Sequence, residues 1–298
     1  MSTADGTVLG TQRIVDNGPS AKRWDLVIMG DGYRADEIPK YEADVASIIA
    51  AIFRTPPFDA LRPAINVHRV DVASADSGAG DLCTGLRRAT FFGSNFCSGN
   101  IDRLLVCDTM TALDTAITAV PEMNASLVLV NSTTYGGSGG YVPVFSLAAN
   151  AFEIALHEMG HSHFGLADEY PLLQNCHEGG HERYAGPEPA EPNVTSRPNA
   201  LKWSSLATAG VSVPTTLNAD CSDCDGQPNP VAADAVGAFE GARYFRCGLF
   251  RPQYDCRMRT LGSPFCAVCQ QTIRRVLGPF MPAFTVPPVA VPRPPLLG

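Results

Sequence analysis

Apolar and polar positions along this chain follow two different periods. Trp24 to Gly30 reads Trp-Asp-Leu-Val-Ile-Met-Gly and closes on a Gly-Asp-Gly turn. A near-continuous apolar run of that length fits a strand buried on both faces. Ala35 to Phe53 instead repeats apolar residues at helical spacing, with Tyr41, Val45, Ile48, Ile49 and Ile52 on one side. Ala64–Val72 reads as a second strand, residues 108–119 as a helix, Ser126–Asn131 as an apolar strand and Tyr141–Ser146 as another. A polar, glycine-rich loop fills the stretch before about Asn100. Strands that alternate with helices predict an α/β layer.

A further helix is predicted over 151–164. Ala151 to Leu156 are good helix formers, and Phe152, Ala155, Leu156 and Met159 make an apolar stripe. Asn150 and Glu153 resemble a capping box, and Gly165 can end the helix in the left-handed conformation. Beyond Tyr170 the periodicity fades into proline, glycine and cysteine, and a helix returns at Ala267–Leu277. From Pro279 to Gly298 there are seven prolines in twenty residues, which predicts an extended tail. The chain therefore divides into an N-terminal extension (1–23), an N-terminal subdomain (24–170), a loop-rich C-terminal subdomain (171–278) and a proline-rich tail (279–298).

The composition narrows the function. The net charge is −8 with no Lys/Arg run, which argues against a nucleic-acid partner. No apolar stretch approaches the ~18 residues that span a bilayer. The ten cysteines are even in number and lie largely in Gly/Pro-rich loops, which predicts disulfides and an oxidising compartment. Cys83 and Cys97 are expected to close a local loop. The alternative is structural zinc on Cys221-Ser-Asp-Cys224 and Cys266-Ala-Val-Cys269. Met1-Ser-Thr-Ala-Asp-Gly lacks the basic start and apolar centre of a signal peptide. Secretion is still expected, on cysteine usage and on the resemblance described below, and so is a monomer.

The chemistry concentrates at His157-Glu158-Met159-Gly160-His161. On a helix His157 and His161 lie one turn apart and project from one face, so both imidazoles can reach one zinc ion. Glu158 points elsewhere, at a distance suited to a water on that ion. After Gly165 the chain can turn back and offer Asp168 or Glu169. Leu166 and Ala167 cannot ligate, so Asp168 is the expected third ligand and Glu169 a supporting group that orients a histidine. His163, His177 and His181 are less suited. His177-Glu178-Gly179-Gly180-His181 repeats the motif letter for letter. Its two glycines cost roughly 2 kcal/mol in a helix, so a loop is expected there. His68, in a strand-like run, is read as structural. The glycines at 30–32 and 136–140 match no phosphate-loop pattern and are read as tight turns or as backbone kept open near a cleft.

Several stretches together resemble the immunoglobulin A peptidase-type family of bacterial zinc metalloendopeptidases, a metzincin-like group. They are Ile28–Tyr33, Asp76–Gly78, Asn131–Gly140, His157–Tyr170, Pro192–Thr195 with Lys202-Trp203, Cys256–Arg259 and Phe265–Cys269. The resemblance implies a zincin-like α/β fold: a mixed twisted sheet with a zinc-binding helix, followed by the loop-rich, cysteine-containing subdomain. It implies Zn2+ on His157 and His161, Glu158 as general base, and Met258 in a Met-turn beneath the metal. Metzincins place Gly three residues after the second histidine and the third ligand three further on; here Gly165 and Asp168 each come one residue later. The expected function is a secreted zinc-dependent metalloendopeptidase acting on protein or peptide through a zinc-activated water. A strand near 135–146 would hold the substrate backbone, and Tyr170, Tyr254 or Arg259 would serve the oxyanion. The alternatives are an extracellular binding module with structural zinc, and a metal-dependent amidase.

Overall fold

A computed structural model describes residues 2–171, 181–222 and 227–282. Its centre is a mixed seven-stranded sheet in the order Ser2–Thr3, Gly6–Val15, Ile65–Ser74, Trp24–Asp31, Ala125–Val130, Val144–Ser146 and Gly137–Ser138. Trp24–Asp31 runs parallel to both of its neighbours. Gly6–Val15 and Gly137–Ser138 are antiparallel to theirs. Every residue of Trp24–Asp31 and of Ala125–Val130 is buried, as the apolar runs predict for strands covered on both faces.

The period of two sends Leu26, Ile28, Leu127 and Leu129 to one face and Val27, Met29, Val128 and Val130 to the other. The first face packs against helices α1 (Ile38–Ile52), α3 (Ala151–Phe164) and α4 (Ala267–Leu277). The second packs against α2 (Thr109–Ala119), capped by the Asp108 carboxylate, which accepts from the Met110 and Thr111 amides at 3.1 and 3.2 Å. Phe265, Ile273 and Leu277 share the core of Leu26 and Leu129, while Ala167, Val194, Ala242 and Leu249 form a small separate cluster.

The stretch expected as an N-terminal extension contributes a ten-residue strand, Gly6–Val15, to the sheet. Gly10 interrupts it, none of its residues is buried, and only pairing with Ile65–Ser74 defines it. The Gly30-Asp31-Gly32 turn is structural. The buried Asp31 carboxylate accepts from the Phe92 and Ser94 amides at 3.0 and 3.1 Å and from Thr90 Oγ1 at 2.8 Å, which pins the long loop to the sheet. Gly32, at φ +68°, passes so close to Gly78 that a Cβ would sit 1.9 Å from its carbonyl oxygen. His68 is likewise structural: its Nε2 lies 2.7 Å from the buried Asp25 carboxylate.

Cys83 is bonded to Cys97, as the sequence leads one to expect. Cys221 is bonded to Cys247, so it is not free to join a metal-binding tetrad with Cys266 and Cys269. Cys176 and Cys224 lie outside the described residues. Cys107, Cys256, Cys266 and Cys269 form no disulfide. No helix among the described residues is long and apolar enough to cross a membrane.

Candidate metal centre

Helix α3 carries the first two donors, and its ends are set differently from each other. At the start there is no capping box. Asn150 sits at φ +60° without a side-chain cap, and the Glu153 carboxylate turns instead to Arg257 Nη2 at 2.9 Å and the Gly262 amide at 3.2 Å. The capping role fails because a buried guanidinium is a stronger partner than a solvated amide. At the other end Gly165 takes the left-handed conformation at φ +63°, with Leu166 N donating to Gly160 O at 2.9 Å. That turn brings Asp168 back over the helix.

His157 Nε2, His161 Nε2 and Asp168 Oδ1 form a triangle with all three sides 3.2 Å. Their outer atoms are held. His157 Nδ1 lies 3.1 Å from the Arg257 carbonyl and His161 Nδ1 2.8 Å from the Leu166 carbonyl. A ring that donates from Nδ1 leaves Nε2 as a bare lone pair when neutral. Two such lone pairs and a carboxylate oxygen then face one another, and Asp168 Oδ1 is buried without a hydrogen-bond partner. That donor set suits a small cation. Donors about 2.0–2.1 Å from a tetrahedral zinc stand roughly 3.3 Å apart, close to the observed spacing. Without a cation, burial opposes protonation of His161 but the Asp168 carboxylate outweighs it and pushes the imidazole up to about 9.

Glu158 does not join the triangle. Its carboxylate lies against the edge strand: a Cβ added to Gly137 would come within 3.2 Å of Glu158 Oε1, and one added to Gly139 within 3.4 Å of Oε2. The glycines at 136–140 therefore keep backbone close to this carboxylate rather than forming a phosphate loop. Burial pushes the Glu158 carboxyl up, against the pull of His157 and His161.

Met258 packs beneath the helix at Gly160, where an added Cβ would sit 2.5 Å from its sulfur. The Met258 carbonyl accepts from the Glu169 amide at 2.7 Å. Glu169 itself turns away from the histidines. Its Oε1 accepts from Asn193 Nδ2 at 2.8 Å and lies among three cysteines, so the expectation that it orients a histidine is corrected. His163 packs edge-on against Trp24, and burial lowers it to about 4. His177 lies outside the described residues, and His181 opens the short strand His181–Arg183. Of the oxyanion candidates, Tyr170 packs at a tilt against Tyr244, ring centres 5.4 Å apart, beside Asp168. The Tyr254 hydroxyl donates to the Gln227 carbonyl, and Arg259 lies over the Tyr254 ring.

Two groups at the site escaped the sequence reading. Tyr244 donates its hydroxyl to Asp168 Oδ2, holding the carboxylate with Oδ1 towards the histidines. It sits with Arg243 in a hairpin between Phe239–Ala242 and Phe245–Arg251, at φ +52° and +67° for Arg243 and Tyr244. Such a turn ordinarily takes Asn or Gly, so the sequence carries no signal for it. The Arg243 and Tyr244 amides donate to the Asp168 and Tyr170 carbonyls, both at 3.0 Å, which locks the turn onto the third donor. Arg103 is exposed, yet its charge is felt at Glu158, Tyr135, Tyr170 and Tyr244. A cavity of about 470 Å³ opens beside His161, walled in part by Leu113, Met123, Tyr141 and His163.

A family model described as IgA Peptidase M64 matches residues 13–224 and 228–277. No curated protein matches the chain.

Proposed function

The chain belongs to the IgA peptidase M64 family, and from that premise we propose that it is a secreted, zinc-dependent metalloendopeptidase with a zincin-like active site. The observation that carries the reading is the triangle of His157, His161 and Asp168 with the Glu158 carboxylate outside it, on the same turn of the helix that carries both histidines. The two disulfides among the described residues agree with an extracellular setting.

His157, His161 and Asp168 would hold the ion. Zinc bound there supplies Lewis acidity that activates water and polarises the scissile carbonyl. Glu158 removes the proton of the attacking water and returns it to the departing amine. Its burial raises its proton affinity, which strengthens it as the base that takes the proton from water. The edge strand Gly137–Ser138 is itself bridged to Leu104, with Gly137 N donating to Arg103 O at 3.2 Å, so that edge is closed to an added substrate strand. The cavity beside His161 would take one substrate side chain. Tyr170 and Arg103 are the groups placed to stabilise developing negative charge.

The test is cleavage of an unbiased peptide library with and without a chelator. Hydrolysis that the chelator abolishes and added zinc restores is expected. Zinc-loaded, folded protein that cleaves no peptide would overturn the reading in favour of a binding module or an amidase.

A further inference from the structure

Behind the third donor lies a second group of potential ligands. Glu169, Cys256, Cys266 and Cys269 are all buried, and one donor atom from each lies within 4.8 Å of the others. Cys256 Sγ and Cys269 Sγ are 3.8 Å apart. Glu169 Oε1 is 3.4 Å from Cys269 Sγ and 3.7 Å from Cys266 Sγ. These spacings do not suit disulfides, whose sulfurs stand about 2.05 Å apart. They do suit a tetrahedral ion. Zinc–sulfur bonds of about 2.3 Å and a zinc–oxygen bond of about 2.0 Å imply S···S near 3.8 Å and S···O near 3.5 Å.

The surroundings favour anionic sulfur. Cys266 caps helix α4, and its Sγ accepts from the Cys269 amide at 3.4 Å, while Cys256 Sγ accepts from the Cys266 amide at 3.2 Å. Glu169 is wholly buried and its Oε2 has no hydrogen-bond partner. The charge of the neighbouring Arg251 reaches Glu169, but that guanidinium donates to the Glu240 and Gly241 carbonyls at 2.8 and 2.6 Å. A carboxylate among three thiols in a dry interior is costly unless a cation joins them.

We propose that Cys256, Cys266, Cys269 and Glu169 hold a second zinc ion in a closed, structural site. Four protein donors leave no open position, so this ion has no part in hydrolysis. Its role is mechanical. Glu169 follows Asp168, Cys256 precedes Met258 by two residues, and Glu169 N already donates to Met258 O at 2.7 Å. One ion would thus tie the segment bearing the third donor to the turn beneath the histidine helix.

The test is metal analysis of protein purified without added metal, joined to X-ray absorption at the zinc edge. Wild type is expected to carry two zinc ions per chain. A His157→Ala/His161→Ala variant should keep one, in a shell dominated by sulfur at about 2.3 Å. A Cys266→Ser/Cys269→Ser variant should lose that sulfur shell. Should it fail to fold, the absorption spectra of wild type and of the histidine variant decide alone. Zinc with only nitrogen and oxygen neighbours in wild type would overturn the proposal. So would mass spectrometry of unreduced protein showing Cys256 bonded to Cys266 or Cys269.

Discussion

Replacing Gly160 by alanine sets two effects of opposite sign against each other. Ala exceeds Gly in helix propensity by about 0.8–1.0 kcal/mol, and Gly160 lies inside α3. Against that, the new Cβ would sit 2.5 Å from Met258 Sδ and 3.0 Å from its Cε. Ordinary contact is roughly 3.5–4.0 Å, so the overlap at sulfur is about 1 Å or more. Met258 is fully buried, so moving it displaces packed neighbours. Overpacking of this kind costs about 1–3 kcal/mol, which leaves a net destabilisation of about 1 kcal/mol once propensity is subtracted. In a Met258→Ala background the obstructing atoms are gone, and the same substitution should become stabilising by up to about 1 kcal/mol. The four proteins of this cycle can be compared by urea unfolding, with stability extrapolated to water. A reversal of sign between backgrounds is expected. An equal cost in both would show that Met258 is not what excludes a side chain at position 160, and the Met258 packing inferred here would be wrong.

Tyr244→Phe removes the donor to Asp168 Oδ2. It should weaken zinc binding about 10–100-fold in a competition titration while leaving the fold intact. Glu153→Ala strands the buried Arg257 guanidinium and should cost about 3–5 kcal/mol in unfolding free energy; a loss under 1 kcal/mol would mean that the pair is solvated. Burial works against ionisation of Glu188, but donors at Ser196 and Thr195, with Lys202 beside them, hold its carboxyl down to about 2. A depressed carboxyl adds stability above its unfolded pKa, ordinarily about 4.3, and loses it as pH falls to the folded value. The stability gap between wild type and Glu188→Gln should therefore be widest near neutrality and close between about pH 4.5 and 2, as followed by unfolding at a series of pH values.

The parts legible in the sequence are those encoded locally. Trp24–Asp31 and Ala125–Val130 announce themselves because burial on both faces demands uninterrupted apolar side chains. Helix α4 is found at its predicted bounds, Ala267–Leu277, and α3 ends at Gly165 because the left-handed stop is written in one residue. What stayed hidden depends on partners distant in sequence. Gly6–Val15 is a strand only by pairing with Ile65–Ser74. Glu153 leaves its cap for Arg257. The Arg243-Tyr244 turn adopts a glycine-like backbone because it is clamped by the Asp168 and Tyr170 carbonyls. Glu169 meets Cys269 across 100 residues, and no spacing rule connects them. Asp168 could be singled out from the sequence because the turn after Gly165 limits which side chain returns first. Tyr244, which orients it, could not.

The central claim is that Glu158 acts on the water while His157, His161 and Asp168 hold the ion. It is tested most directly by measuring peptide turnover and zinc content together in Glu158→Gln. The variant should fold and bind zinc as wild type does, yet lose roughly 100- to 10,000-fold in turnover, the range spanned by general acid–base catalysis. Near-wild-type turnover in the zinc-loaded, folded variant would contradict the account and move the base elsewhere in the chain.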